Sequence, residues 1–199
     1  MLKYFLYLGF YTGIVGLSYI SLYIPFSYYS TEFNQKTYNK KLYIIKNIVK
    51  SVILGILTLG ITRNFLYNQY TYYDYEKNDV YLDNDWVKIL ASNYVANDLL
   101  ALIIVPKLPK TTKIHHITTN LILFYIYFID FNDNDDIGKG IFLYTSMSMA
   151  SFLVNFVLAV RNFDNFPYLD YLRIVAYYSY LACVSINWGG HLLLYGYKI

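Results

Sequence analysis

The chain has 199 residues, of which 57% are hydrophobic and 15% charged, with a formal net charge of +3. An average soluble domain carries roughly 25% charged residues, so this composition leaves too little charge to coat a soluble globule and too much apolar surface for a disordered chain. A single cysteine, Cys183, excludes a disulfide framework and a multi-cysteine zinc module, and so small and scattered a charge excludes a nucleic-acid surface.

What remains is an integral membrane protein, in keeping with a mean hydropathy of +0.32. A helical span needs about 20 mostly apolar residues, and six segments approach that length. The first covers about residues 4–26, with no charge between Lys3 and Glu32. Its length, its Gly/Tyr content and the lack of a small-residue cleavage site separate it from a signal peptide. Its Gly9 and Gly13 form a GxxxG pair suited to close helix packing. The second covers about residues 48–67, with Arg63 near its far end. The third covers 86–105 and holds one buried-looking charge, Asp98. The fourth is short, from 114 or slightly earlier to 129. The fifth covers about 140–160 and the sixth about 174–195. The expected fold is all-α, one transmembrane domain over residues 1–199.

Loop charges alternate along the chain. The first loop carries Lys36, Lys40, Lys41 and Lys46 against Glu32, and the second Asp74, Glu76, Asp79, Asp83 and Asp85 against Lys77. The third holds Lys107, Lys110 and Lys113 and no acid. The fourth has Asp130, Asp133, Asp135 and Asp136 against Lys139, and the fifth has Arg161 and Arg173 against Asp164 and Asp170. Odd loops thus hold nine Lys/Arg and even loops two. Lys/Arg bias sets orientation, so the odd loops are expected on the cytoplasmic side and both termini on the other.

Polar residues inside the apolar segments fall on stripes. Ser179, Cys183, Asn187 and His191 recur every four residues in the sixth segment. Ser148, Ser151 and Asn155 step by three and four in the fifth. Tyr94 and Asp98 are four apart in the third, as are Asn93 and Asn97, while His115 pairs with Thr119 and His116 with Asn120 in the fourth. Such spacing puts each set on one helix face. Two readings fit these stripes: hydrogen bonding that only holds the bundle together, or the lining of a shared polar cavity.

Asp98 and the His115–His116 pair point further. A carboxylate in mid-membrane costs about 2.5–3.5 kcal/mol on insertion scales and requires a partner. Asp98 lies about 10 Å from the cytoplasmic end of its helix and His116 about 9 Å from the start of the next, so the two meet at one depth across a short loop. Imidazole takes and returns protons near neutral pH, and an adjacent carboxylate orients it. That chemistry suits acyl transfer, with a histidine as base or nucleophile and Asp98 as its orienting partner. Lys107, Lys110 and Lys113 crowd the cytoplasmic mouth, either to hold acyl-CoA phosphates or simply to set topology and touch lipid headgroups. No resident cofactor or metal is expected, since Asp98 and the distant His191 are the only further ligand candidates for the histidine pair.

These residues resemble those of the TLC-domain family, the membrane proteins named for Tram, longevity-assurance and ceroid-lipofuscinosis proteins, over about residues 40–198. Tyr94 followed by Asp98-Leu99 resembles the family's Tyr/Asp signature, and His115-His116 with Thr119 its paired-histidine motif. Residues 148–155, Ser-Met-Ala-Ser-Phe-Leu-Val-Asn, resemble the Glu-x-Ser-x-Pro-Phe-x-Asn stretch of the transmembrane-protein branch, with Ser148 in place of the acid and Val157 where arginine is common. Asn187-Trp188 resembles the last-helix motif. The later acidic residues of the ceramide synthases have no counterpart between Gly138 and Asn155, and no homeobox-like region is read ahead of the spans. The resemblance, closest to the non-synthase branch, implies about six helices in a barrel around an intramembrane lipid cavity. That cavity would be lined by Tyr94, Thr119, Asn120, Ser148, Ser151, Asn155, Cys183, Asn187 and His191. It implies binding or sensing of membrane lipid, such as a sphingolipid or a fatty acyl chain, in an endoplasmic-reticulum-type membrane. The alternative is an N-acyltransferase resembling ceramide synthase, using acyl-CoA as co-substrate and His115, His116 and Asp98 as its catalytic groups.

Overall fold

Apolar runs this long satisfy their backbone groups within helices, and the computed structural model is built almost wholly that way. It describes residues 2–71, 73–74, 79–80, 82–131, 136–164 and 166–195. In chain order these form α1 (Leu2–Tyr29), α2 (Thr31–Gln35), α3 (Tyr38–Thr71), β1 (Tyr73–Asp74), β2 (Asp79–Val80), α4 (Asn84–Ile104), α5 (Lys110–Ile126), α6 (Asp136–Ala150), α7 (Phe152–Val160) and α8 (Leu169–Tyr195). β1 and β2 pair antiparallel inside the acidic second loop, with Tyr73 opposite Val80. Of the loop charges read from the sequence, Glu76, Lys77, Asp133 and Asp135 lie outside the described residues.

The element ends follow local chemistry. Ser30 Oγ accepts the Phe33 amide at 3.2 Å and starts α2. Asp83 starts α4 by accepting the amides of Asp85 at 2.9 Å and Trp86 at 3.2 Å. Pro106 cannot continue α4, and Pro109 occupies the position before α5.

Among the described residues, four helical stretches are long and apolar enough to cross a membrane: Leu2–Tyr29, Tyr38–Arg63, Asn84–Ile104 and Ile137–Val160. Two of the six expected segments fall short by that measure. α5 has 17 residues, a length of about 25 Å at 1.5 Å per residue, against a hydrocarbon core of about 30 Å. α8 has 27 residues, but its tyrosines and polar stripe dilute its apolar character. The fifth segment is also not one continuous helix. The chain turns at Ser151, whose Oγ donates to the Ser148 carbonyl at 2.7 Å, so the polar stripe itself interrupts the helix between α6 and α7.

Loops one, three and five gather at one end of the bundle. Asn39 exchanges hydrogen bonds with the Lys107 backbone, accepting the amide at 3.0 Å and donating to the carbonyl at 3.3 Å. The Asp164 amide donates to Glu32 Oε1 at 2.7 Å. That amide and, after it, the Lys36 ammonium at 3.1 Å hold the Glu32 carboxyl below its usual range. At the opposite end Asn84 joins loops two and four, donating to Asp130 at 2.6 Å and accepting the Phe131 amide at 2.7 Å. Lys3 pairs there with Asp85 at 2.7 Å. The lysine-rich loops and the acid-rich loops therefore sit at opposite ends. One residue leaves the loop tally: Lys46 is not in loop one but two turns inside α3, 3% exposed. Eight Lys/Arg then remain on the odd loops, and the sign pattern holds.

α4 is the central helix, packed against α1, α3 and α5. α3 packs on α7, and α8 on both α6 and α7. α1 lies outside this set and buries Tyr4, Leu8, Val15 and Tyr19 against it, with Tyr19 donating to Asn97 at 2.9 Å. Leu6, Phe10, Leu17 and Ile24 of α1 remain exposed on the opposite face, where acyl chains would cover them. The GxxxG expectation fails here: a Cβ added at Gly9 or Gly13 meets nothing within 4 Å. The pair faces outward because the larger Leu8, Val15 and Tyr19 already make the contact with α4.

Candidate functional site

A cavity of about 570 Å³ opens among α3, α4, α5, α6, α7 and α8. α3 contributes Tyr43, Lys46, Asn47, Lys50 and Leu54, spaced by three and four so that they share one face. α4 contributes Tyr94, and the first two turns of α5 contribute Thr111, Thr112, His115 and His116. Tyr144, Met147, Ser148 and Ser151 come from α6 and the break after it, Val154, Asn155 and Leu158 from α7, and Tyr180, Cys183, Val184, Asn187 and Trp188 from α8. Polar groups concentrate where α3 and α5 begin, at the lysine-rich end. Leu54, Met147, Val154, Val184 and Trp188 supply apolar wall.

Asp98 lies at the back of this site, fully buried. The Lys50 ammonium pairs with its Oδ1, and their side chains are 6% and 0% exposed. His116 Nδ1 stands 3.1 Å from the same oxygen, close enough to pair when protonated but not aligned for a hydrogen bond. Among the described residues, neither buried ring nitrogen of His116 has a hydrogen-bond partner. His115 Nε2 is 3.9 Å from Asp98 Oδ2, with a side chain about half exposed to the cavity. Thr119 Oγ1 donates to Asp98 Oδ2 at 3.2 Å. Lys50 also lies 5.4 Å from the centre of the Tyr94 ring, a cation–π contact.

The structure thus brings Asp98 and both histidines together, and with them Tyr94, Ser148, Ser151, Asn155, Cys183 and Asn187 around one cavity. Other expected residues stand elsewhere. Thr119 and Asn120 are buried behind the histidines, where Asn120 donates to the His116 carbonyl at 2.7 Å; they brace α5 and do not line the cavity. His191 lines a second, apolar cleft of about 470 Å³, with Leu121, Ile122, Tyr125, Ile141 and Tyr144 among its neighbours. It lies one turn beyond Asn187, where α8 has passed the cavity. Lys107, Lys110 and Lys113 are exposed and none lines the cavity.

The largest omission in the sequence reading is Lys50, the partner of Asp98. A second segment beginning at Ile48 takes no account of Lys50, and the loop-charge pattern counts Lys46 with the first loop. The signal was present: Tyr43, Lys46, Asn47 and Lys50 carry the spacing of one polar helix face. Lys88 of α4 was likewise unread, and it is buried beside the Tyr4 ring at 5.4 Å.

Asp98, His115 and His116 offer ligand atoms that lie within 4.8 Å of one another, a set that can hold a metal ion. The Lys50 ammonium already stands on one carboxylate oxygen, so a divalent cation there would have to displace a buried positive charge.

Comparison of the chain with protein-family models, with curated proteins and with solved structures gives no match.

Proposed function

We propose that this chain is a multi-pass membrane protein of lipid metabolism or homeostasis, whose helices form a TLC-like barrel of six spans around a lipid-binding cavity in an endoplasmic-reticulum-type membrane. The observation that carries the reading is the cavity itself: about 570 Å³ inside an apolar bundle, with both lysines in its lysine-rich half and Leu54, Met147, Val154, Val184 and Trp188 interleaved with Tyr144, Ser148 and Asn187 along the rest of its wall. That is the shape and polarity an amphiphile requires. The TLC resemblance of Tyr94, Asp98, His115 and His116 adds to it. α5 and α8 complete the six spans under this reading, because each runs from the lysine-rich end of the bundle toward the other. Their polar faces are turned to the cavity, which makes up for their weaker hydropathy.

Lipid extraction and mass spectrometry of the purified protein test the reading. A defined lipid class should co-purify at near-stoichiometric amount, enriched over the bulk membrane. Recovery of bulk lipid alone, in the proportions of the membrane, would overturn it. The topology has its own test. A tag in residues 107–113 should be reached from the cytoplasm and a tag in residues 133–136 should not; protection of both, or of neither, would break the six-span arrangement.

A second reading, acyl transfer from acyl-CoA to a lipid amine or alcohol, is favoured by one observation, the 3.1 Å approach of His116 Nδ1 to Asp98. A turn of the ring into line with Asp98 would let the carboxylate orient the imidazole as a general base.

A further inference from the structure

Two ammonium groups face the cavity and no carboxylate does. Among the described residues, its wall carries Lys46 and Lys50, while Asp98 is sealed behind Lys50 and takes no part in the lining. Lys50 is neutralised by Asp98. Lys46, one turn closer to the lysine-rich end, is not. It is 3% exposed and has no ion-pair or hydrogen-bond partner among the described residues; the Tyr43 ring lies 5.7 Å from the ammonium, and Asp98 acts on it only from beyond ion-pair distance. A buried ammonium without a counter-ion is costly in an apolar bundle. The same end of the cavity is lined by Thr111 and Thr112, on the first turn of α5. That 17-residue helix begins without a side-chain cap, so its first amides remain free to donate. The unpaired Lys46 and the uncapped helix start both favour negative charge, and both border this one cavity.

We propose that this end of the cavity is an oxyanion site that takes the head group of a singly charged acyl amphiphile, a long-chain fatty acid being the simplest, with the head between Lys46 and the start of α5. The acyl chain then runs inward along Leu54, Met147, Val154 and Trp188. One head-group charge matches the one ammonium that Asp98 leaves unbalanced. A carboxylate and a phosphate ester share this chemistry, and the test separates them. The proposal rests on the lipid-cavity reading and specifies which lipid the cavity takes.

The experiment measures binding of oleate, oleyl alcohol and oleoyl lysophosphatidate to the full-length protein in phosphatidylcholine nanodiscs, for wild type, Lys46→Met and Lys46→Arg. Wild type should bind oleate about tenfold or more tighter than oleyl alcohol, as one partly desolvated charge pair provides. Lys46→Met should remove that preference while leaving oleyl alcohol binding unchanged, and Lys46→Arg should keep it. Thermal unfolding controls for the fold, and Lys46→Met should melt no lower than wild type because it removes an unpaired buried charge. Tighter binding of lysophosphatidate than of oleate, also lost in Lys46→Met, would overturn the singly charged head group and assign the anion site to a phosphate monoester, which carries about −1.5 to −2 at pH 7. Equal binding of oleate and oleyl alcohol by wild type, or an unchanged preference in Lys46→Met, would overturn the anion site and leave the lipid cavity standing. Failure of all three amphiphiles to bind would overturn both.

Discussion

Lys50→Met alone should destabilise the bundle by about 3–5 kcal/mol, the usual cost of stranding one member of a buried ion pair. Asp98 is fully buried, and without Lys50 it keeps the unaligned His116 ring at 3.1 Å, His115 Nε2 at 3.9 Å and the Thr119 hydroxyl at 3.2 Å, whose one proton is shared with the His116 carbonyl at 3.0 Å. Asp98→Leu should cost a similar amount, because it leaves Lys50 beside Lys46 on one face of α3 with no acid near either. The double variant Lys50→Met/Asp98→Leu should recover most of the loss, since matched apolar side chains replace a buried pair at little cost. Reversible unfolding of the four proteins in detergent gives the coupling energy directly. A Lys50→Met protein within about 1 kcal/mol of wild type would mean that the pair behaves like an exposed one.

The second large effect falls on His116 and separates the two functional readings. If the cavity transfers acyl groups, His116→Ala should lower the rate about 10²- to 10⁴-fold, the usual worth of a positioned general base. Lipid retention by the same variant should change little, because His116 lies against Asp98 at the polar end, away from the apolar wall. His115→Ala should cost less, since His115 is half exposed and 3.9 Å from the carboxylate. The assay supplies acyl-CoA and a sphingoid base, or another lipid amine or alcohol, and follows amide or ester formation. Product in wild type with none in His116→Ala selects the transferase. No product in wild type, with lipid still bound, selects the binding protein.

Much of this arrangement was legible in the chain. The helical spacing of Tyr94/Asp98, and of Cys183 and Asn187 within the α8 stripe, matches faces turned to the cavity, and the loop charges separated the two ends of the bundle. What was not legible has physical causes. A lysine near a segment's start reads as a loop residue, because hydropathy averages do not show whether it snorkels outward or turns inward; Lys46 and Lys50 turn inward. A serine stripe reads as a continuous helix face, yet the Ser151 hydroxyl competes for backbone and breaks it. Position along a stripe also does not say where a helix leaves a cavity, so His191, one turn past Asn187, was placed inside it. Gly9 and Gly13 suggested close packing by size alone, but which face of α1 packs is decided by its larger apolar residues.

The order in which the chain is made gives the Lys50–Asp98 pair a consequence for biogenesis. Lys50 leaves the ribosome 48 residues ahead of Asp98. α3 therefore reaches the membrane with four lysines in its first half, two of which, Lys46 and Lys50, turn inward with no acid yet made to meet them, a penalty of about 2.5–3.5 kcal/mol for each one held near mid-membrane. Its apolar second half must hold it in place, or the translocon must shelter it, until α4 arrives. Insertion of the two helices is then a joint event. A chain truncated between them should insert poorly and be degraded, although α3 taken alone has the length and hydropathy of a span.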